Sequence, residues 1–185
     1  MIGDRLEKLI WRLIDESVRS QLGKPTREVA PDRGIRESLT LDDETGHWAF
    51  VWHEANTNDT GSNPDFTIIH GHRILLAIEA KNHDPRKHHP NLEWTLSRVI
   101  RRFRIQDAET KILYIPLLNP TPKDQKSVVS TLKEHEILTI QFGRQIAERH
   151  SHAYEYVQRD LGPHIEAAIQ SGKTRHLSLA LNYQL

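Results

Sequence analysis

Cysteine is absent from all 185 residues, which excludes disulfides and thiolate-held metals. No apolar run approaches the roughly 20 residues that cross a bilayer, and the acidic, helix-forming N-terminus lacks the form of a secretory signal. A cytoplasmic protein with no membrane partner is therefore expected. Net positive charge is missing too: 25 Lys and Arg stand against 25 Asp and Glu. Tight, indiscriminate binding to a polyanion is disfavoured, so any nucleic-acid contact has to come from a local patch. The chain has no Gly-x-Ser-x-Gly elbow and no glycine loop followed by Lys and Ser or Thr, which argues against serine-hydrolase and ATP-driven chemistry. Nor does a linker, repeat or low-complexity tract divide it. A single domain over 1–185 is expected, long enough to bury roughly 70% of the surface exposed on unfolding.

Among the features present, two apolar runs dominate. Phe66 to Ile69 and Ile74 to Ile78 are separated by His70, Gly71, His72 and Arg73, which predicts a β-hairpin. A three-residue loop over Gly71, His72 and Arg73 sets Asp65 opposite Glu79. A two-residue loop shifts the register by one unless a bulge restores it. The second run is apolar on both faces until Glu79, as in the interior of a sheet. Alternation puts Glu79 and Lys81 on one face and Ala80 on the other.

Charge at the end of an interior strand costs several kcal/mol unless compensated. A divalent cation compensates it well. Two carboxylates and a backbone carbonyl offer hard oxygen ligands of the kind Mg²⁺ accepts while keeping other positions for water and phosphate. A lysine beside such an ion holds the attacking water or steadies charge growing on phosphorus.

Pro64 and Asp65, followed by Glu79, Ala80 and Lys81, resemble the signature of the PD-(D/E)xK nuclease superfamily, enzymes with a restriction-endonuclease-like fold. Gly3, Glu7 and Ile10 resemble the first helix of archaeal Holliday-junction resolvases, in which a glutamate four residues after a glycine helps hold metal. The resemblance implies an α/β domain with an αβββαβ core, its mixed central sheet flanked by helices. It also implies Mg²⁺, replaceable by Mn²⁺, held by Asp65, Glu79 and the Ala80 carbonyl. Lys81 and Glu7 complete the catalytic set, DNA is the substrate, and a homodimer is the expected assembly. The missing net positive charge departs from junction resolvases and leaves restriction-like or repair-type cleavage open. The alternative from another class is a non-catalytic nucleic-acid-binding module or subunit that keeps the fold.

The remaining pattern fills in this outline. Ile2, Leu6, Leu9, Ile10, Leu13 and Ile14 form one helical arc within a predicted helix from Asp4 to Arg19, and Glu7 and Glu16 flank the arc on opposite sides. An insert near 21–45, carrying Arg27, Arg33 and Arg36, is polar and reads as loop or extra helix. Strands are expected over Trp48–Glu54, Lys111–Leu118 and Ile137–Phe142, with helices over Leu92–Ile105 and Lys123–His135. One or two further helices over Arg144–Gln170 form a C-terminal extension, followed by an edge strand over Leu177–Leu185. On the Leu92–Ile105 helix, Arg98, Arg101, Arg102 and Trp94 lie opposite the apolar face and suit a phosphate backbone. His83 lies just beyond Lys81, within reach of a substrate phosphate. The cluster His83, His88 and His89 lacks the spacing of a zinc site.

Overall fold

The computed structural model describes residues 2–54, 64–81, 111–116, 137–140 and 151–182. In chain order the elements are α1 (Ile2–Gln21), β1 (Thr26–Val29), β2 (Ile35–Asp43), β3 (Gly46–His53), β4 (Phe66–His70), β5 (Arg73–Lys81), β6 (Lys111–Pro116), β7 (Ile137–Thr139) and α2 (Ala153–Asn182). The seven strands form one sheet in sequential order. Strands β1 to β5 run as an antiparallel meander, and β6 and β7 then add in parallel to β5. The class is α/β with a mixed open sheet, and β5 lies in its interior, as its two-faced apolar run requires.

Helix α1 follows its apolar arc. Leu6, Ile10, Leu13, Ile14 and Val18 are almost wholly buried against the sheet, each contributing about 1.5–3 kcal/mol. Gly23, at φ 105°, ends the helix: its N–H and that of Leu22 both donate to the Val18 carbonyl. Helix α2 packs on the same side of the sheet through a stripe at four-residue spacing, Ala153, Val157, Leu161, Ile165 and Ile169. The two helices are tied side by side. Lys173 Nζ donates to the Gln21 carbonyl at 2.7 Å, the Tyr154 hydroxyl donates to Glu16, and the Arg12 guanidinium lies 3.9 Å over the Tyr154 ring. The Tyr154 hydrogen bond is the main reason that the Glu16 carboxyl stays below its ordinary pKa.

The two faces of the sheet differ in residue size. Trp48, Phe50 and Trp52 of β3, with Phe66 and Ile68 of β4, belong to the core under the helices. Trp11 of α1 meets Trp52 and Phe66 at ring separations of 5.9 and 6.3 Å. The alternate residues are small: Ser38, Val51, Thr67 and Ala77 point to the other face and are nonetheless buried.

The β2–β3 turn is closed by Asp43, whose carboxylate accepts hydrogen bonds from the Thr45 N–H and hydroxyl and from the Gly46 N–H at 3.2 Å. Burial pushes the Asp43 pKa up, but those donors outweigh it and hold it below the ordinary value. The stabilisation is present above the unfolded pKa near 3.9 and is lost as pH falls through the lower folded value. Asp43→Ala is expected to cost about 1–2 kcal/mol in urea denaturation at pH 7, with the gap to wild type closing below about pH 4. A gap unchanged by pH would separate the effect from the carboxylate.

Several sequence expectations are corrected. The 21–45 insert is neither loop nor helix but mostly β1 and β2. Leu39 and Leu41 alternate there with Ser38 and Thr40, and pairing to β3 gives that alternation a face to bury. Residues 177–182 are the end of α2 rather than an edge strand, because no proline or glycine interrupts the chain after Gly172. The last strand ends at Thr139, short of the expected Phe142, while β6 is described over Lys111–Pro116 and residues 117–118 lie outside the described residues. The expected helices over 92–105 and 123–135 lie outside the described residues.

Candidate active site

The β4–β5 hairpin turns through two residues, Gly71 and His72, with Gly71 at φ 59° in the glycine-first turn that suits a twisted hairpin. Near the turn, His70 pairs with Arg73 and Ile69 with Ile74. A bulge at Leu75 then shifts the register, so that Ile68 faces Leu76, Thr67 faces Ala77 and Phe66 faces Ile78. The next step sets Asp65 across from Glu79. A short turn and a bulge together yield the alignment expected of a three-residue loop.

At that step the Asp65 side chain takes over from the main-chain ladder. Its Oδ2 accepts the Ala80 N–H at 2.7 Å. This charge-assisted bond fixes the carboxylate beside the peptide linking Glu79 to Ala80. Glu79 is fully buried, at 0% exposure. On the far side of β5, Glu79 pairs in parallel with Tyr114 and Lys81 with Pro116. The acidic pair thus lies at the carboxyl end of the first strand in the parallel part of the sheet, where ligands of open α/β sheets bind.

Asp65 and Glu79 are therefore brought together, with Ala80 bonded between them. Lys81 is the last residue of β5, two positions beyond Glu79; its side chain, like Trp94, Arg98, Arg101, Arg102 and His83, lies outside the described residues.

Glu7 is placed differently. It accepts the Trp52 indole N–H at 3.3 Å and lies 3.5 Å from the Arg36 guanidinium, which stacks over the Trp52 ring. Those contacts belong to the helix side of the sheet. Trp52, Phe66 and Ile78 form the aligned row that faces α1, so Glu79, one residue beyond Ile78, projects from the opposite face. Glu16 turns toward α2. Of the insert arginines, Arg27 is engaged with Asp15 and Glu37 and Arg36 with Glu7, while Arg33 is exposed.

One residue of this region escaped the sequence reading. The His53 N–H donates to the Asp65 carbonyl at 2.9 Å, so His53, Asp65 and Glu79 follow one another across β3, β4 and β5. The His53 ring lies on the Glu79 side of the sheet, with Nε2 3.1 Å from Thr67 Oγ1. Burial holds its pKa below the ordinary range. Alternation within β3 separates His53 from Trp52, but only the β3–β4 pairing reveals its neighbour.

The donor set suits a hard cation. Two adjacent carboxylates and a backbone carbonyl, one carboxylate buried and the other fixed by a main-chain N–H, fit Mg²⁺ or Mn²⁺ better than softer metals. Among the described residues no group of three or more His, Cys, Asp or Glu side chains is set to hold a metal ion. No described helix is long and apolar enough to cross a membrane. Compared with family models, curated proteins and solved structures, the chain matches none.

Proposed function

We propose that this chain is a Mg²⁺-dependent endonuclease that hydrolyses DNA phosphodiester bonds, restriction-like or structure-specific, with Asp65, Glu79 and the Ala80 carbonyl as metal ligands. The observation that carries this is the bond from the Ala80 N–H to Asp65, which locks the two acidic positions together at the end of an interior strand. The order of α1 followed by β3, β4, β5 and β6 also agrees with a restriction-endonuclease-like core, in which β1 and β2 are additions.

When bound, the metal supplies Lewis acidity toward the scissile phosphate and makes water a competent nucleophile at neutral pH. Asp65, held by the Ala80 N–H, keeps its ligand oxygens in place without reorganisation during the reaction. Glu79 contributes its charge in a dry environment, where electrostatic attraction is strongest. Lys81 orients the attacking water and balances the charge that builds on the phosphoryl oxygens. Glu7, on the helix side, serves the site indirectly by holding Trp52 and Arg36 beside the Phe66–Asp65 segment.

The test is cleavage of linear duplex, supercoiled plasmid, single strand and four-way junction with Mg²⁺, with Mn²⁺ and with EDTA. Lys81→Ala is expected to keep metal binding and lose turnover; wild-type rates in that variant would remove Lys81 from the mechanism. Double-strand breaks rather than nicks would mark a homodimer working on both strands. A second reading, a nucleic-acid-binding module without turnover, draws on the lack of a third side-chain ligand among the described residues. DNA binding with no cutting under any metal would establish it.

A further inference from the structure

We propose that the groove between α1 and α2 binds a linear polyamine through its ammonium groups. The groove has a volume of about 700 Å³ and lies in the helix layer, on the side of the sheet away from Glu79. Two ties between the helices border it. Glu16, Tyr154 and Arg12 form one; Gln21, Gln170 and Lys173 form the other, with Gln170 Nε2 donating to Gln21 Oε1 at 3.1 Å. Gly162 and Pro163 provide the space. A Cβ added at Gly162 meets nothing within 4 Å, and Pro163, inside the helix, has no N–H to offer the Arg159 carbonyl.

Ser17 of α1 is the polar residue that the fold leaves unused. A serine or threonine in a helix can turn its hydroxyl back to a carbonyl of the preceding turn, as Ser171 and Thr174 of α2 do. Ser17 is only 8% exposed, yet its hydroxyl makes no hydrogen bond among the described residues and opens on the groove instead of being closed within the protein. Across from it, Glu166 has no ion-pair partner among the described residues. Arg159 does not neutralise the groove, because its guanidinium is turned to Asp160 at 2.7 and 2.9 Å. The negative end of the α1 dipole adds to the charge of Glu166. The chain itself shows which cation suits this place: the Lys173 ammonium is seated on the Gln21 carbonyl at 2.7 Å, at the end of the groove. A primary ammonium carries three donors and no acceptor, and hydroxyl, amide and carboxylate oxygens all answer it. A metal ion finds no group of three acidic or histidine ligands among the described residues. The α1 wall runs from Leu13 to Gln21, more than two turns, so a chain bearing several ammonium groups spans it better than a single one.

The test is calorimetric titration of the full chain with spermidine, without DNA, beside thermal denaturation of each variant. Wild type is expected to show saturable binding at one site. Glu166→Gln should weaken it about 5- to 10-fold, and Ser17→Ala about 3-fold or more, with melting temperatures close to wild type. Glu155→Gln is the control: it removes the same charge from an exposed glutamate of α2 outside the groove, and binding should be unchanged. Equal weakening by Glu155→Gln and Glu166→Gln would be general attraction to acidic surface and would overturn the site. So would the absence of saturable binding, or tighter binding of a lysine-bearing peptide than of spermidine.

Discussion

Replacing Glu79 by glutamine is expected to reduce Mg²⁺-dependent cleavage on the order of 10³-fold while leaving the fold intact. The side chains have nearly the same shape, so the packing around this fully buried position is preserved. If Asp65, Glu79 and the Ala80 carbonyl hold Mg²⁺ as proposed, what disappears is one negative charge next to a dication. Even counted as a single unit charge, the ion attracts a carboxylate 4 Å away by about 4 kcal/mol at an effective dielectric of 20. A loss of that size corresponds to roughly three orders of magnitude in rate. The same variant has a readout independent of catalysis. Mg²⁺ at about a hundred times its Kd stabilises a protein that binds it only when folded by about 2.7 kcal/mol. Wild type should show that rise in thermal denaturation and Glu79→Gln should not. A Mg²⁺-dependent rise that survives the substitution would place the ion elsewhere.

The second large effect concerns how closely α2 lies on the sheet. A Cβ at Gly172 would fall 2.4 Å from Trp48 Cη2 and 3.0 Å from Leu75 Cδ1. Trp48 cannot give way readily, being wholly buried, stacked on Phe50 at 6.1 Å and in contact with His70 at 4.1 Å. Leu75 is the bulge residue that sets the Asp65–Glu79 alignment. Gly172→Ala gains about 1 kcal/mol of helix propensity but incurs overpacking, for a net loss of about 1–2 kcal/mol; Gly172→Val should lose about 3 kcal/mol or more. Gly162, in the same helix, provides the control. Nothing lies within 4 Å of its added Cβ, and the propensity gain is opposed by crowding before Pro163. Gly162→Ala should therefore stay within about 1 kcal/mol of wild type. Equal effects at the two glycines in urea denaturation would show that the contact with Trp48 is unimportant.

The sequence revealed most clearly what depends on local pattern. The α1 arc is legible because six apolar residues repeat at helical spacing, and the β4–β5 hairpin because glycine and charge separate two apolar runs. The bulge at Leu75 was legible only as an option, since turn length and bulge compensate and leave the same partner for Asp65. β1 and β2 were obscured by their charge: Arg27, Glu28, Arg36 and Glu37 interrupt an alternation that Leu39 and Leu41 maintain. At the C-terminal end, Leu177, Leu179 and Leu181 fit a strand period as well as a helix, and the long helix before them decides the outcome. His53 could not be singled out, because its significance comes from pairing between β3 and β4 across a connection of uncertain length. Glu7 joins the site only through the resemblance, while its partners in the fold, Trp52 and Arg36, come from β3 and from β2, whose charged start hides its strand character.

The outer strand β1 limits how copies of this protein associate. All four of its residues are exposed, and Val29 is 75% exposed, on an edge with no strand beyond it among the described residues. Two copies joined edge to edge about a two-fold axis must pair residues that project to the same face, which for β1 against itself means residues of equal parity. The central registers then set Arg27 against Arg27 or Glu28 against Glu28, and like charges directly opposite are destabilising. The edge thus resists its own duplication. Continuation of the sheet from one molecule into the next through β1 is thereby disfavoured, and the homodimer expected of the proposed nuclease is better served by another surface.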